Sequence, residues 1–162
     1  MKPSGSSTSS SSKGEPGSNG LNIDKAGNLV LCQHGDRRMA KMTTSLSNPT
    51  PTFENIVDAY KGKRFNSPND AVYDRAGNLY FTDPPYGLSK GMDDPAKELD
   101  FQGVYRYGVD GTLTLISDQL TRPNGIGLSP DEKTLYVANS DPERIMWMAY
   151  ELSDNGQVLT EK

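Results

Sequence analysis

Asn19, Asn69 and Asn124 each lead an apolar run, and they stand 50 and 55 residues apart. A side-chain amide oxygen is a hard, neutral donor suited to Ca²⁺ or Mg²⁺, with carboxylates from elsewhere balancing the charge. Asp70 follows Asn69 directly, and Gly125 follows Asn124. The competing reading is local. Asn-Asp and Asn-Gly are turn dipeptides, because Asn tolerates left-handed backbone and hydrogen-bonds its own main chain. Spacing alone leaves both readings open. His34 is the single histidine and Cys32 the single cysteine. A two-histidine site, a disulfide and a cysteine cluster are therefore excluded within the chain, and nothing beside His34 suggests a nucleophilic triad.

The elements that position these asparagines repeat with them. Asn19-Gly20-Leu21 runs to Gly27-Asn28-Leu29-Val30-Leu31, and Asn69-Asp70-Ala71 to Gly77-Asn78-Leu79-Tyr80-Phe81. Asn124-Gly125-Ile126 likewise runs to Lys133-Thr134-Leu135-Tyr136-Val137. A repeat of this length is one supersecondary unit, and a four-stranded propeller blade fits it. The expected strands are 19–23, 28–33, 38–42 and 52–57 in the first blade. They are 70–73, 78–82, 103–107 and 112–117 in the second, then 125–128, 134–138, 145–151 and 157–160 in the third. Asp94 to Leu99 has room for one helical turn. The reading is all-β: about three blades (19–58, 69–118 and 124–160) behind a flexible Ser/Gly-rich segment at 1–18. A small β-sandwich is the alternative. Propellers close with typically four to eight blades. Three blades need missing blades or another chain to close the ring, and Trp147 and Met148 are expected to pack between blades.

Composition narrows the partners. Net charge is −4, with no basic tract, which argues against nucleic acid. Mean hydropathy is −0.68, and no apolar run approaches the ~18 residues of a membrane span. The first 18 residues hold eight Ser and three Gly but no apolar stretch, unlike a secretory signal. The expectation is a cytoplasmic location, or a periplasmic or secreted one if a signal is missing.

Several strings taken in order resemble the gluconolactonase and regucalcin (senescence marker protein) family, in its bacterial gluconolactonase branch. They are Arg64-Phe65-Asn66-Ser67-Pro68-Asn69-Asp70, Phe81-Thr82-Asp83-Pro84-Pro85-Tyr86-Gly87, Phe101-Gln102-Gly103-Val104-Tyr105-Arg106 and Arg122-Pro123-Asn124-Gly125-Ile126. Gln33-His34-Gly35-Asp36-Arg37-Arg38 belongs with them. The resemblance implies a six-bladed propeller that hydrolyses sugar lactones with one divalent cation: Ca²⁺ first, Zn²⁺ or Mg²⁺ as alternatives. The cation would polarise the lactone carbonyl and activate water. Asn124 and Asn69 are the implied metal ligands and Asp70 the candidate general base. Arg64, Asp83, Tyr86 and His34 are the candidate substrate contacts, and Asp36, Arg37 and Arg38 are expected in surface or inter-blade ion pairs. Compared with the regucalcin branch, an insertion separates Arg64 from the Asn69–Asp70 pair. The family's acidic Glu-Gly-Pro ligand has no match, and its last Asp ligand would lie beyond Lys162, so the chain is expected to be a fragment with an incomplete site. A broader esterase or phosphotriesterase, or a non-catalytic binding propeller, are the alternative functions.

Overall fold

The computed structural model describes residues 17–154 and 156–161; the expected flexible segment falls almost wholly outside them. Twelve strands form three antiparallel four-stranded sheets in chain order. The first holds β1 (Leu21–Ile23), β2 (Leu29–Gln33), β3 (Arg38–Met42) and β4 (Phe53–Val57). A two-stranded hairpin follows, β5 (Ala59–Tyr60) and β6 (Lys63–Arg64). The second sheet holds β7 (Ala71–Tyr73), β8 (Leu79–Asp83), β9 (Gly103–Tyr107) and β10 (Leu113–Ser117). The third holds β11 (Pro123–Leu128), β12 (Thr134–Asn139), β13 (Met146–Leu152) and β14 (Val158–Glu161). The one helical element is a 3₁₀ turn at Gly91–Asp93, just before the segment expected to turn. Residues 59–64 are a hairpin that the strand spacing does not anticipate.

One turn design sets the register of the inner hairpins. Asp24 Oδ1 accepts from the Ala26 and Asn28 N–H groups at 2.9 and 2.8 Å. Asp74 Oδ1 accepts from Gly77 and Asn78 at 2.7 and 2.8 Å. Gly27 and Gly77 have φ of 84° and 98°, the left-handed region glycine enters without penalty. The third blade substitutes Ser129 and Asp131, whose side chains bond each other at 2.6 Å, and Glu132 takes the left-handed position at φ 58°.

Strand alternation then gives each sheet two apolar faces. Val30, Cys32 and Met39 of the first sheet meet Ala71, Leu79, Phe81 and Tyr105 of the second. Tyr80 and Val104, on the second sheet's other face, meet Leu135, Val137, Tyr150 and Leu152 of the third. Phe65, in the segment between blades, fills the first interface, with ring centroids 5.3 Å from Phe81 and 5.1 Å from Tyr105. Burial pushes the Cys32 thiol well above its ordinary range, so its role is packing. Met148 packs against the second interface. Trp147 does not pack between blades as expected: it points out of the opposite face and is 84% exposed.

Phe81 is fully buried among these rings. Phe81→Ala is expected to lower unfolding free energy by about 3–5 kcal/mol, read as a reduced midpoint in urea denaturation.

Candidate functional site

Antiparallel pairing fixes which ends of the sheets lie together. In each blade the residues preceding the innermost strand sit beside the end of the second strand, away from the inner hairpin turn. Asn69 N–H donates to Thr82 O at 2.9 Å and Asn19 N–H to Cys32 O at 3.0 Å, while Pro123 pairs with Asn139. Asn19, Asn69 and Asn124 therefore share one end of three adjoining blades.

The inner strands are stitched together at that end. Gly20 N–H donates to Asn69 O at 2.7 Å, joining blades one and two. A Cβ on Gly20 would stand 2.8 Å from both Asn69 O and Asp70 Oδ1, so only glycine permits this approach. Asp70 Oδ2 accepts from Ile126 N–H at 3.1 Å, joining blades two and three, and its Oδ1 caps Ala71 N–H at 2.9 Å. Thr82, fully buried, donates its hydroxyl to Asn124 O at 2.7 Å. Thr82 is the positioning residue that sequence reasoning missed. Its signal was a lone hydroxyl among buried apolar strand residues.

Asn69 is buried and Asn124 half-buried. Both bond through their main chains, and neither side-chain amide hydrogen-bonds to another described residue. Asn28 and Asn78, by contrast, bond Asp24 and Asp74 in their turns. Asn139 caps Arg122 N–H at 2.7 Å. The local-turn explanation therefore accounts for those asparagines and not for residues 69 and 124. Asn19 is exposed. No group of three or more His, Cys, Asp or Glu side chains is arranged for a metal among the described residues. The donors present, two uncommitted amides beside one carboxylate, fit a hard divalent cation in kind but supply little charge.

The other sequence candidates are placed differently. Asp83 is fully buried. Its Oδ2 accepts from Asn66 N–H at 2.8 Å and Nδ2 at 3.1 Å, and its Oδ1 from Ser67 N–H at 2.7 Å. Burial raises its pKa to about 7, while those backbone donors and Arg37 pull the other way. Asn139 stands at the corresponding register position of blade three and caps its own preceding segment, so the position calls for an acceptor rather than a charge. Asp83 is thus a capping residue, which corrects its assignment to sugar hydroxyls.

Arg64 is exposed, its guanidinium donating to Asp36 O at 3.0 Å and its N–H to Glu98 Oε2 at 2.8 Å. Neither contact directs it toward the asparagine pair, because the hairpin at 59–64 holds it on the rim. Arg37, expected in a surface or inter-blade ion pair, is buried. It bonds Phe65 O at 2.6 Å and Ala96 O at 2.8 Å, and burial, then the Arg64 charge, lowers its pKa. His34 is also buried, with Nε2 lacking a partner. Burial removes that nitrogen from direct substrate contact, correcting the sequence reading. Tyr86 is 39% exposed, in the loop where Gly87 N–H bonds Ser67 Oγ at 2.8 Å. A cavity of about 120 Å³ lined by Asp74, Tyr80, Glu132 and Lys133 lies at the hairpin-turn end, opposite the asparagines.

This arrangement defines an all-β propeller-type protein with a polar mouth at one end of its blades. The family described as SMP-30/Gluconolactonase/LRE-like region matches residues 2–162, and the chain belongs to that family. It is 44% identical over 142 residues to a gluconolactonase of Zymomonas mobilis, covering 88% of this chain and 39% of that protein. It is 32% identical over 143 residues to the lactonase drp35 of Staphylococcus aureus, at 86% and 39% coverage. A solved gluconolactonase from Xanthomonas campestris superposes with a TM-score of 0.75 at 35% identity, covering 90% of this chain and 47% of that one. The chain thus spans well under half the length of these relatives.

Removing Asp83 leaves three N–H donors without an acceptor, at roughly 1–3 kcal/mol each. Asp83→Ala is expected to lower stability by several kcal/mol in urea denaturation, whereas Tyr86→Phe leaves the midpoint unchanged.

Proposed function

We propose that this chain carries part of the active site of a divalent-cation-dependent sugar-lactone hydrolase. The observation that carries the reading is the pair of amides at Asn69 and Asn124. They have no hydrogen-bonding role in the fold, and they stand at the same end of adjoining blades. Membership of a family whose named relatives include gluconolactonases and lactonases supports lactones as the substrate class.

Asn69 and Asn124 would hold the cation through their amide oxygens, with Ca²⁺ the species that oxygen donors of this kind suit. When bound, such an ion polarises an ester carbonyl and lowers the pKa of water. The remaining steps belong to the protein. Asp70 already accepts from Ala71 and Ile126 N–H groups, which fixes the carboxylate in place. A carboxylate has about four acceptor sites, so lone pairs remain to take a proton from attacking water. Thr82, through its bond to Asn124 O, holds the third blade's asparagine at its distance from Asp70. Tyr86 offers an exposed ring and hydroxyl on the rim, suited to one face of a sugar ring. Neutral amides alone make a weak site, and further carboxylates from outside the described residues would tighten it.

Asn124→Ala is expected to weaken Ca²⁺ binding and to lower lactonase kcat/KM by on the order of 10²-fold, the several kcal/mol such ions contribute. Its circular dichroism should not change. Ca²⁺ titration and a gluconolactone assay, before and after chelation, check this. Retention of both binding and turnover in the variant contradicts the proposal.

Thr82→Val keeps the volume and removes the hydroxyl that bonds Asn124 O. Cation affinity is expected to fall with it while Asn124→Ala abolishes that affinity outright; equal affinity in Thr82→Val and the parent chain contradicts the positioning role.

A further inference from the structure

Sheet register identifies which faces of the array are made to mate. Two interfaces are filled. The second sheet buries Ala71, Leu79, Phe81 and Tyr105 against the first sheet, and Tyr80 and Val104 against the third. Strand pairing maps these positions onto the end sheets. Tyr80 pairs with Arg106 and Thr82 with Val104; in the third sheet Tyr136 pairs with Ala149 and Ala138 with Trp147. Tyr136 and Trp147 therefore occupy the positions of the wholly buried Tyr80 and Val104. They are nevertheless 50% and 84% exposed, with Ile145 at 81% and Leu159 at 64% beside them.

The first sheet shows the complement. Leu21 pairs with Leu31 and Ile23 with Leu29, as Ala71 pairs with Phe81 and Tyr73 with Leu79. Leu21 and Ile23 occupy the positions that, in the second sheet, press against a preceding blade, yet they are 60% and 50% exposed. One end of the array thus presents a face built to receive a following sheet. The other end presents a face built to follow one. Contiguous exposed apolar residues of this kind mark an interaction surface.

We infer that two copies of this chain associate head to tail, the third sheet of each against the first sheet of the other, closing a two-fold ring of six blades. Every copy carries both complementary faces, and the matched region is 47% of the solved Xanthomonas chain, so two copies supply nearly that length. A head-to-tail contact made twice closes on itself and leaves no open face, whereas a non-closing one grows into filaments. Closure also places Asn69, Asp70 and Asn124 of both copies around one channel, adding a second carboxylate to the donors each copy brings. The inference stands on packing alone, independently of lactone chemistry.

The test uses the 162-residue chain, whose single tryptophan is itself the probe. Sedimentation equilibrium is expected to give twice the 17.7 kDa chain mass, and Trp147 emission to shift to shorter wavelength as concentration rises through the transition. Trp147→Glu and Leu21→Glu each spoil one face. Both sites are exposed in the single chain, so each variant should keep its circular dichroism but sediment as a monomer. Mixed together, the two variants retain one intact pair of faces and should form a heterodimer. A parent chain that stays monomeric with water-exposed Trp147 emission overturns the inference, and so does open-ended assembly. A Leu21→Glu homodimer, which would mean that third sheets pair with each other, overturns it as well.

Discussion

The architecture depends on how closely the inner strands approach one another. Gly20 N–H meets Asn69 O, and Ile126 N–H meets Asp70 Oδ2, so a single dipeptide is bonded to the blades on either side. These contacts are short because glycine stands at position 20, where a Cβ would collide with Asn69 and Asp70. Apolar burial between sheets supplies most of the stabilisation, but it is non-directional. The inner-strand bonds set the angular relation of the blades, and hence where the side chains at their ends converge.

Economy of polar groups separates scaffold from site. Asp24, Asp74, Asp83 and Asn139 each satisfy neighbouring N–H groups that would otherwise be left unpaired at turns and blade ends. Buried polar atoms without partners are costly, so these acceptors explain their own presence. Asn69 and Asn124 do not fit that pattern. Their main chains serve the fold, and their amides remain uncommitted at the mouth.

Much of this was legible in the chain because its determinants are local. Asp24-Lys25-Ala26-Gly27 and Asp74-Arg75-Ala76-Gly77 announce hairpins by turn chemistry, and alternating apolar residues announce the strands beside them. The observed strands lie within a residue or two of the expected ones. What stayed hidden depends on distant partners. Arg37 reads as a surface charge until the segment at 64–66 folds over it, and Asp83 reads as a ligand until Asn66 and Ser67 arrive from the preceding connection. The hairpin at 59–64 lacks the apolar alternation that marks longer strands. Trp147 reads as buried because its register position is a buried one in the sheet before it; only the open third sheet exposes it.

The claim that residues 69 and 124 serve one ligand is tested most directly by their own side-chain amide resonances. In a ¹⁵N-labelled chain titrated with Ca²⁺, both amide pairs are expected to shift along a single binding curve, while those of Asn28 and Asn78 stay fixed in their turns. Shifts at only one of the two residues, or two unrelated curves, would contradict a shared site.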